Sequence, residues 1–438
     1  MEILKPDVET PAQEAKRLKK VAAATIVGSA LEWYDFYLYA TMASIVFSKI
    51  FFDTSDPAAA SMAAFSTFAI GFVARPIGGM MFGYFGDRFG RKKMLSVTFC
   101  LMGVCTCAIG LIPSYAVIGF WAPFLLVAFR IVQGLGAGAE LAGAAVTSYE
   151  HASDQKRGSQ GSWPALGLNL GLLLSSMTVY LLTLGGDEFL LSGGWRIPFL
   201  LSAILVMVGL WVRKQLPETP QFHRAEEQTR APAKPFKELF STNLKGLGVV
   251  FFVAIGYNAL SYIYKTFSLA YLTQFKGVSA HVTSLSVTLA SLVAIVAVPT
   301  FGWLCDKYSS KKVLGVGGVL SALFAYPFMA LLSSGENALI YTALIIGTGI
   351  LAPMMFAPQG SFLSRQFSVQ SRSTGVGTAR EIGTAIAGGL APLWALSIVA
   401  KTAGQSTGGV VLILAGAGLL VTVATVFDQG YRFSKHKN

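Results

Sequence analysis

Two carboxylic acids, Glu32 and Asp35, stand in the stretch Leu31-Glu32-Trp33-Tyr34-Asp35-Phe36, inside an otherwise apolar segment. An ionisable group at membrane depth costs about 2.5–3.5 kcal/mol on insertion scales, so it faces a cavity and has a partner. The chemistry open to it is proton exchange. Burial disfavours the charged form of a carboxyl group and a neighbouring guanidinium restores it, so a pair that forms and breaks takes up and releases a proton. Arg130 is the base whose position fits. Asp35 lies about 22 Å along a helix from Lys20, and Arg130 about 14 Å from the outer end of an antiparallel helix. In a hydrocarbon layer of about 30 Å both side chains reach the outer half at similar depth. A static structural ion pair is the alternative.

Glu32, three residues before Asp35, shares nearly the same helical face and points either into the same cavity or toward helix packing. Trp33 and Phe36 leave that face and pack against neighbouring helices or lipid. Glu140 stands among Gly134, Gly136, Gly138 and Gly143, which permit close helix approach. It reads as an acid that braces the loop ends, with a second proton site as the alternative. Arg75 precedes Pro76 and the Gly78-Gly79 pair. A base there draws an anionic substrate or holds the carbonyls that a proline frees. Arg196, beside Trp195, reads as an interfacial anchor.

Farther along, Tyr257, Ser261, Lys265 and Ser268 recur at spacings of four and three, beside Asn258, Tyr262 and Tyr264. An amine among tyrosines suits a carboxylated or ring-bearing solute, because Lys supplies a point charge and Tyr a hydroxyl. Snorkelling of Lys265 to the outer interface is the competing reading. In Arg380-Glu381, adjacent residues point about 100° apart, so one of the two faces the cavity. Arg380 is the choice for a substrate carboxylate, against a buried pair near the gate. Gln359 follows Pro358 and the run Met354-Met355-Phe356, which lines the cavity or packs. The candidate substrate-binding set is therefore Arg75, Tyr257, Asn258, Tyr262, Lys265, Gln359 and Arg380.

The elements that must hold these groups are membrane helices. Of 438 residues, 53% are hydrophobic and only 13% charged, with mean hydropathy +0.58, well beyond an ordinary soluble domain. Windows of about 20 apolar residues give twelve spans, placed at 21–47, 58–86, 94–112, 121–149, 158–184 and 195–212, then 246–275, 282–305, 313–332, 338–364, 374–400 and 408–427. The all-α chain thus divides into a cytoplasmic N-terminal segment 1–20, a six-helix bundle 21–212, a cytoplasmic linker 213–245 rich in proline and charge, a second six-helix bundle 246–427, and a cytoplasmic tail 428–438. With the N-terminus cytoplasmic, most of the lysines and arginines fall on the cytoplasmic side, Arg213 and Arg372 among them. The positive-inside rule then accounts for the net charge of +12 without a nucleic-acid partner. The first span is too long for a signal-peptide core and is retained. Cys100, Cys105, Cys107 and Cys305 read as small buried hydrophobes. His151, His223, His281 and His436 have no metal-ligand spacing, and no phosphate-binding Gly-Lys-Ser/Thr loop occurs. No cofactor, metal or enzyme chemistry is expected.

An internal repeat joins the halves. Gly83-Tyr84-Phe85-Gly86-Asp87-Arg88-Phe89-Gly90-Arg91-Lys92-Lys93 matches Gly302-Trp303-Leu304-Cys305-Asp306-Lys307-Tyr308-Ser309-Ser310-Lys311-Lys312, half the chain length later. The first copy resembles the signature loop of the major facilitator superfamily at Gly83, Asp87, Arg88, Gly90, Arg91 and Lys92, and Arg130-Ile131-Val132-Gln133-Gly134 resembles its Arg-x-x-Gln-Gly element. The second copy departs at Ser309 and Ser310. Glu32-Trp33-Tyr34-Asp35-Phe36, Arg75-Pro76-Ile77-Gly78-Gly79 and Gly134 to Gly143 resemble the metabolite:proton symporter family, with Ala139 where glycine is expected. Known members carry shikimate, 2-oxoglutarate, citrate, or proline and betaine.

The resemblance implies two six-helix bundles that rock about a central cavity. It implies proton transfer by an acid in the first helix facing an arginine in the fourth, here Asp35 and Arg130. It implies gating by the loop residues, with Asp87 paired to arginines or to a helix N-terminus, and Asp306 in the second copy. The expected protein is a proton-coupled importer of a small polar metabolite, an organic acid before a zwitterion, working as a monomer in a bacterial inner membrane with both termini cytoplasmic. Facilitators and exporters are the near alternatives. Gly161-Ser162-Trp163-Pro164 lacks the Gly-x-x-x-Gly-Pro pattern of antiporters in this superfamily and so leans toward symport. A membrane sensor would need a signalling domain for which the loops leave no room.

Overall fold

Sequence this apolar has no water at depth to satisfy its peptide groups, so each crossing must close its own hydrogen bonds as a helix. A computed structural model of the chain describes residues 10–53, 55, 57–214, 239–241, 243–402 and 406–428. The regular structure among them is helical. Six crossings form the first half: α1 Pro11–Met42, extended through a π-helical turn to Ile50; α2 Pro57–Phe89; α3 Arg91–Leu111; α4 Trp121–His151; α5 Trp163–Thr183; and α6 Arg196–Lys214. Six more follow: α7 Leu244–Tyr262, continuing through the π turn Ile263–Phe267 to Phe275; α8 Ala280–Tyr308; α9 Ser310–Ser333; α10 Asn337–Ser364, which contains the π turn Ile345–Leu351; α11 Arg372–Ala400; and α12 Gly408–Val426. Eleven are long and apolar enough to cross a membrane by length and composition. The twelfth is α1, which carries Glu32 and Asp35.

The chain starts α1 with a capping box between Thr10 and Gln13, with Pro11 in the first turn. α1 packs on α5, and α2 and α3 on α4, to build the first bundle; α7 packs on α11 and α12, and α9 on α12, to build the second. Glycines let α2 and α4 approach closely, since a Cβ on Gly138 would strike the Arg75 carbonyl. Large apolar side chains such as Val73, Val296, Leu323 and Leu412 stay exposed on the outer surface, where lipid tails replace water. Two seams join the bundles, α2 against α11 and α8 against α5.

Both copies of the repeated loop adopt one turn. Gly90 has φ 101 and ψ 142, and Ser309 has φ 103 and ψ 144. That left-handed backbone suits glycine and strains serine. The helix ends around these turns, together with Lys156 and Arg365, form one basic face. Arg213, read as the first linker residue, instead belongs to α6 and is buried. Residues 215–238 of the expected linker, 1–9 of the N-terminal segment and 429–438 of the tail lie outside the described residues.

Candidate functional site

α1 and α4 meet where Asp35 and Arg130 were expected to face each other. Their side chains are both buried, with Arg130 Nη1 and Asp35 Oδ2 3.9 Å apart. Gln133 stands between them: it accepts from Arg130 Nη1 at 2.7 Å, and its Nε2 donates to Asp35 and to Thr106 Oγ1. The Arg130 guanidinium also lies 4.1 Å from the Tyr39 ring centroid. Sequence reasoning left Gln133 without a role. Its i, i+3 spacing from Arg130, which puts both on one face, was the available signal.

One turn away, Glu32 contacts Arg75 Nη2 at 3.1 Å, and Arg75 Nη1 lies 3.9 Å from Glu381 Oε2. Glu381 also binds Arg380. The geometry corrects three expectations. Arg75 is held by two carboxylates rather than left open to a substrate or to proline-freed carbonyls. Arg380 is committed to Glu381, the buried-pair alternative. Both members of Arg380-Glu381 turn inward, because a long guanidinium bends back across the 100° between adjacent positions.

Lys265 differs from these. It sits in the π turn of α7, a feature often found at functional sites, and is only 2% exposed. Its amine lies 5.8 Å from the Trp33 ring and 6.0 Å from the Tyr37 ring, both on α1. Snorkelling is excluded by that burial, and Trp33 and Phe36 face helices rather than lipid: Trp33 stacks on Tyr262, and Phe36 lies against Phe68 and Phe72. Among the described residues no carboxylate reaches Lys265, whereas the buried arginines Arg75, Arg130, Arg213, Arg372 and Arg380 each have at least one. Against it, Trp33 Nε1 and Tyr37 OH, with Tyr262 OH beside Trp33, are buried without hydrogen-bond partners among the described residues. Groups in that condition cost about 1–3 kcal/mol each, so the set is built to receive a polar solute. The buried bases Arg75, Arg130 and Arg380 are matched by the carboxylates Glu32, Asp35 and Glu381, and Lys265 stands apart from them.

Other members of the expected binding set serve partly as ties. Asn258 donates to Thr384 Oγ1 at 3.0 Å and to the Ala254 carbonyl, and Tyr257 stacks on Phe356 with centroids 5.0 Å apart. Gln359 donates to the Met355 carbonyl, and with Arg380 it lines a cavity of about 20 Å³ among α4, α5 and α10.

The acids nearer the basic face are closed off. Glu140 is paired with Arg213 and accepts from Thr98 inside the first bundle. Glu150 meets Arg372 across the bundles at 2.9 Å. Both arginines had been read only as topological charges. Asp87 accepts from Ser373 N at 3.2 Å, Thr374 N at 2.7 Å and Thr374 Oγ1 at 2.7 Å, capping the N-terminus of α11. Asp306 accepts from Gly158 N at 2.6 Å, Ser159 N at 3.0 Å and Ser159 Oγ, just before α5. Gly83 lies against the Ser373–Thr374 backbone. Arg88 is exposed and donates to Tyr84 OH in its own helix. The Arg91 side chain lies outside the described residues. Arg196 donates to the Gly110 carbonyl at 2.7 Å beside Trp195.

Comparison with known proteins bears on the family and the fold. The sequence matches the family model described as Major Facilitator Superfamily over residues 25–392 and 250–437. It is 36% identical over 412 residues to an inner membrane metabolite transport protein of Escherichia coli (strain K12), covering 93% of each chain. It is 34% identical over 420 residues to the shikimate transporter of the same organism, covering 95% of this chain and 96% of that one. Among solved structures, a proton:xylose symporter superposes with a TM-score of 0.75 at 16% identity, over 94% of this chain and 95% of that one. That likeness concerns the fold.

Proposed function

The chain belongs to the major facilitator superfamily, and from that premise we propose that it is a proton-coupled symporter importing a small organic acid by alternating access between its bundles. The observation that carries the acid preference is Lys265, a buried amine without a carboxylate among the described residues. A charge kept from water needs a counter-charge, and a substrate carboxylate supplies it between Trp33, Tyr37 and Tyr262, whose free polar atoms hold hydroxyl groups. The shikimate named for one relative is a compound of this class. Zwitterions such as proline or betaine are the second reading, favoured by the aromatic faces of Trp33 and Tyr37, which suit a quaternary ammonium. Lys265 stands against those same faces and repels it.

Asp35 is the proton carrier. When it is charged it holds Arg130 through Gln133, and when it is neutral that link loosens. The basic face is cytoplasmic and the protein lies in the bacterial inner membrane, acting as a monomer, with the gate formed by Asp87, Asp306 and their helix ends. Proteoliposomes with an imposed pH gradient test the proposal. Uptake is measured for a panel of organic acids and betaines in the wild type and in Lys265→Met. An acid should accumulate only with the gradient, and its KM should rise at least tenfold in Lys265→Met. Uptake of betaine alone, or accumulation indifferent to an uncoupler, would refute it.

A further inference from the structure

Among the described residues, four lysines and arginines lie at the helix ends opposite the basic face: Lys49, Arg196, Lys276 and Lys401. Two of them, Lys49 and Arg196, line one cavity. The topology rule that gathers bases on the other face works against bases here, so their convergence has its reason in the cavity itself. The cavity measures about 400 Å³, inside the span of about 300–1,000 Å³ typical of small-molecule sites. Three segments enclose it: the end of α1 at Lys49, Phe52 and Asp53, the α3–α4 connection at Tyr115, and the α5–α6 connection at Trp195 and Arg196. All three belong to the first bundle, so the cavity lies apart from the site around Lys265, where α1 meets α7.

Its walls are held from behind. Gly193, with φ 144, falls in the π turn Leu190–Gly194 and bends the chain just before Trp195. Trp195 is only 1% exposed and packs among Phe47, Phe51 and Phe199. Arg196 follows at the start of α6, its guanidinium 4.6 Å from the Trp195 ring centroid. Arg196 Nη1 donates to the Gly110 carbonyl at 2.7 Å, one bond from a group that carries five N–H donors. Neither Arg196 nor Lys49 is ion-paired among the described residues, where the ion pairs belong to other bases. The acid at the cavity, Asp53, accepts from Ser55 N at 3.0 Å. A half-buried guanidinium fixed in place, a free ammonium and aromatic walls therefore meet in one space.

We propose that this cavity is a second binding site, at the face opposite the basic face, for a small carboxylic acid that carries a ring. The planar fork of Arg196 and the ammonium of Lys49 receive the carboxylate. Phe52, Tyr115 and Trp195 supply the apolar surface that a ring covers. Binding there draws on one bundle alone, so it does not wait on alternating access. The site goes beyond the transport reading, since it needs neither a proton gradient nor Lys265.

The test uses the full chain in nanodiscs with 5-fluorotryptophan incorporated, the Trp195 fluorine signal being assigned by its loss in Trp195→Phe. Benzoate is titrated, with benzamide as the uncharged control. Benzoate should shift the Trp195 signal saturably and benzamide should leave it in place. The half-saturating concentration should rise at least tenfold in Arg196→Gln and in Lys49→Gln, and stay within twofold of wild type in Lys265→Met. Lys49 is exposed, so Lys49→Gln keeps the proposal decidable if Arg196→Gln fails to fold. Equal shifts from benzoate and benzamide, a half-saturation unmoved in either cavity variant, or a response lost in Lys265→Met would each overturn it. Uptake assays separate the two readings. If no acid accumulates with the gradient but the Trp195 response persists, the symport reading fails and this site stands. If uptake is gradient-driven and depends on Lys265 while the Trp195 signal is silent, only this site fails.

Discussion

The two bundle seams descend from one repeated motif and close by different means. At the basic face they match: Asp87 caps α11, Asp306 caps the turn before α5, and the turns at Gly90 and Ser309 share their backbone angles. Deeper in the membrane they part. The α2–α11 seam reaches the Arg75–Glu381 contact, whereas the position in α8 that corresponds to Arg75 by the repeat is Ala294, and that seam carries a hydroxyl pair, Thr288 to Ser176 at 3.1 Å. Symmetry is kept where both halves must grip, and charge is placed on one seam.

The contrast is broken most forcefully at the glycines. A Cβ on Gly79 falls 2.6 Å from the Gly377 carbonyl, so backbone must move, and Gly79→Ala should lower stability by about 2 kcal/mol. On the other seam a Cβ on Gly302 falls 2.7 Å from Ser162 Oγ, a side chain that can rotate at the loss of its bond to the Ser159 carbonyl, and 3.0 Å from Ser159 Cα, so Gly302→Ala should cost about 1 kcal/mol, less than Gly79→Ala. Thermal unfolding in matched detergent ranks them, and a reversed order would show that the seams do not differ as argued. Next come the caps. Asp87→Asn should cost about 1–2 kcal/mol and raise thiol labelling of cysteines placed in the cavity. Asp306→Asn should do less, because the helix it caps, Arg157–Gly161, is short. A smaller effect of opposite sign is expected at the turns: Ser309→Gly should relieve strain and raise the melting temperature, gaining about 1 kcal/mol, and Gly90→Ser should lose a similar amount. Asp35 touches neither seam. Asp35→Asn should abolish accumulation while leaving basic-face labelling and stability near wild type, and altered labelling would place Asp35 in the closure itself.

The spans were legible because twenty apolar residues have one solution in a bilayer, and the repeat was legible because Asp87 and Asp306 recur at half the chain length. Depth along two antiparallel helices was enough to bring Asp35 to Arg130. The same arithmetic could not reveal that Gln133 stands between them, since depth says nothing about which side chain fills a gap of one hydrogen bond. Arg213 and Arg372 were misread for a different reason. A base near a helix end satisfies the topology rule whether it meets water or a buried acid, and only tertiary packing identifies Glu140 and Glu150 as the partners. The π turn at Ile263–Phe267 was equally hidden. One extra residue in a helical turn leaves the apolar period almost intact, yet it determines that Lys265 faces Trp33.

The uncompensated amine of Lys265 also bears on how the isolated protein behaves in solution. In the empty protein this buried amine has no carboxylate partner among the described residues, so a bound carboxylate would stabilise the fold. By mass action, a solute that supplies the missing negative charge raises the folded state's stability by about 2.7 kcal/mol at a hundredfold excess over its Kd. Melting curves recorded across a library of carboxylates therefore search for the physiological cargo without a gradient, a vesicle or a radiolabel.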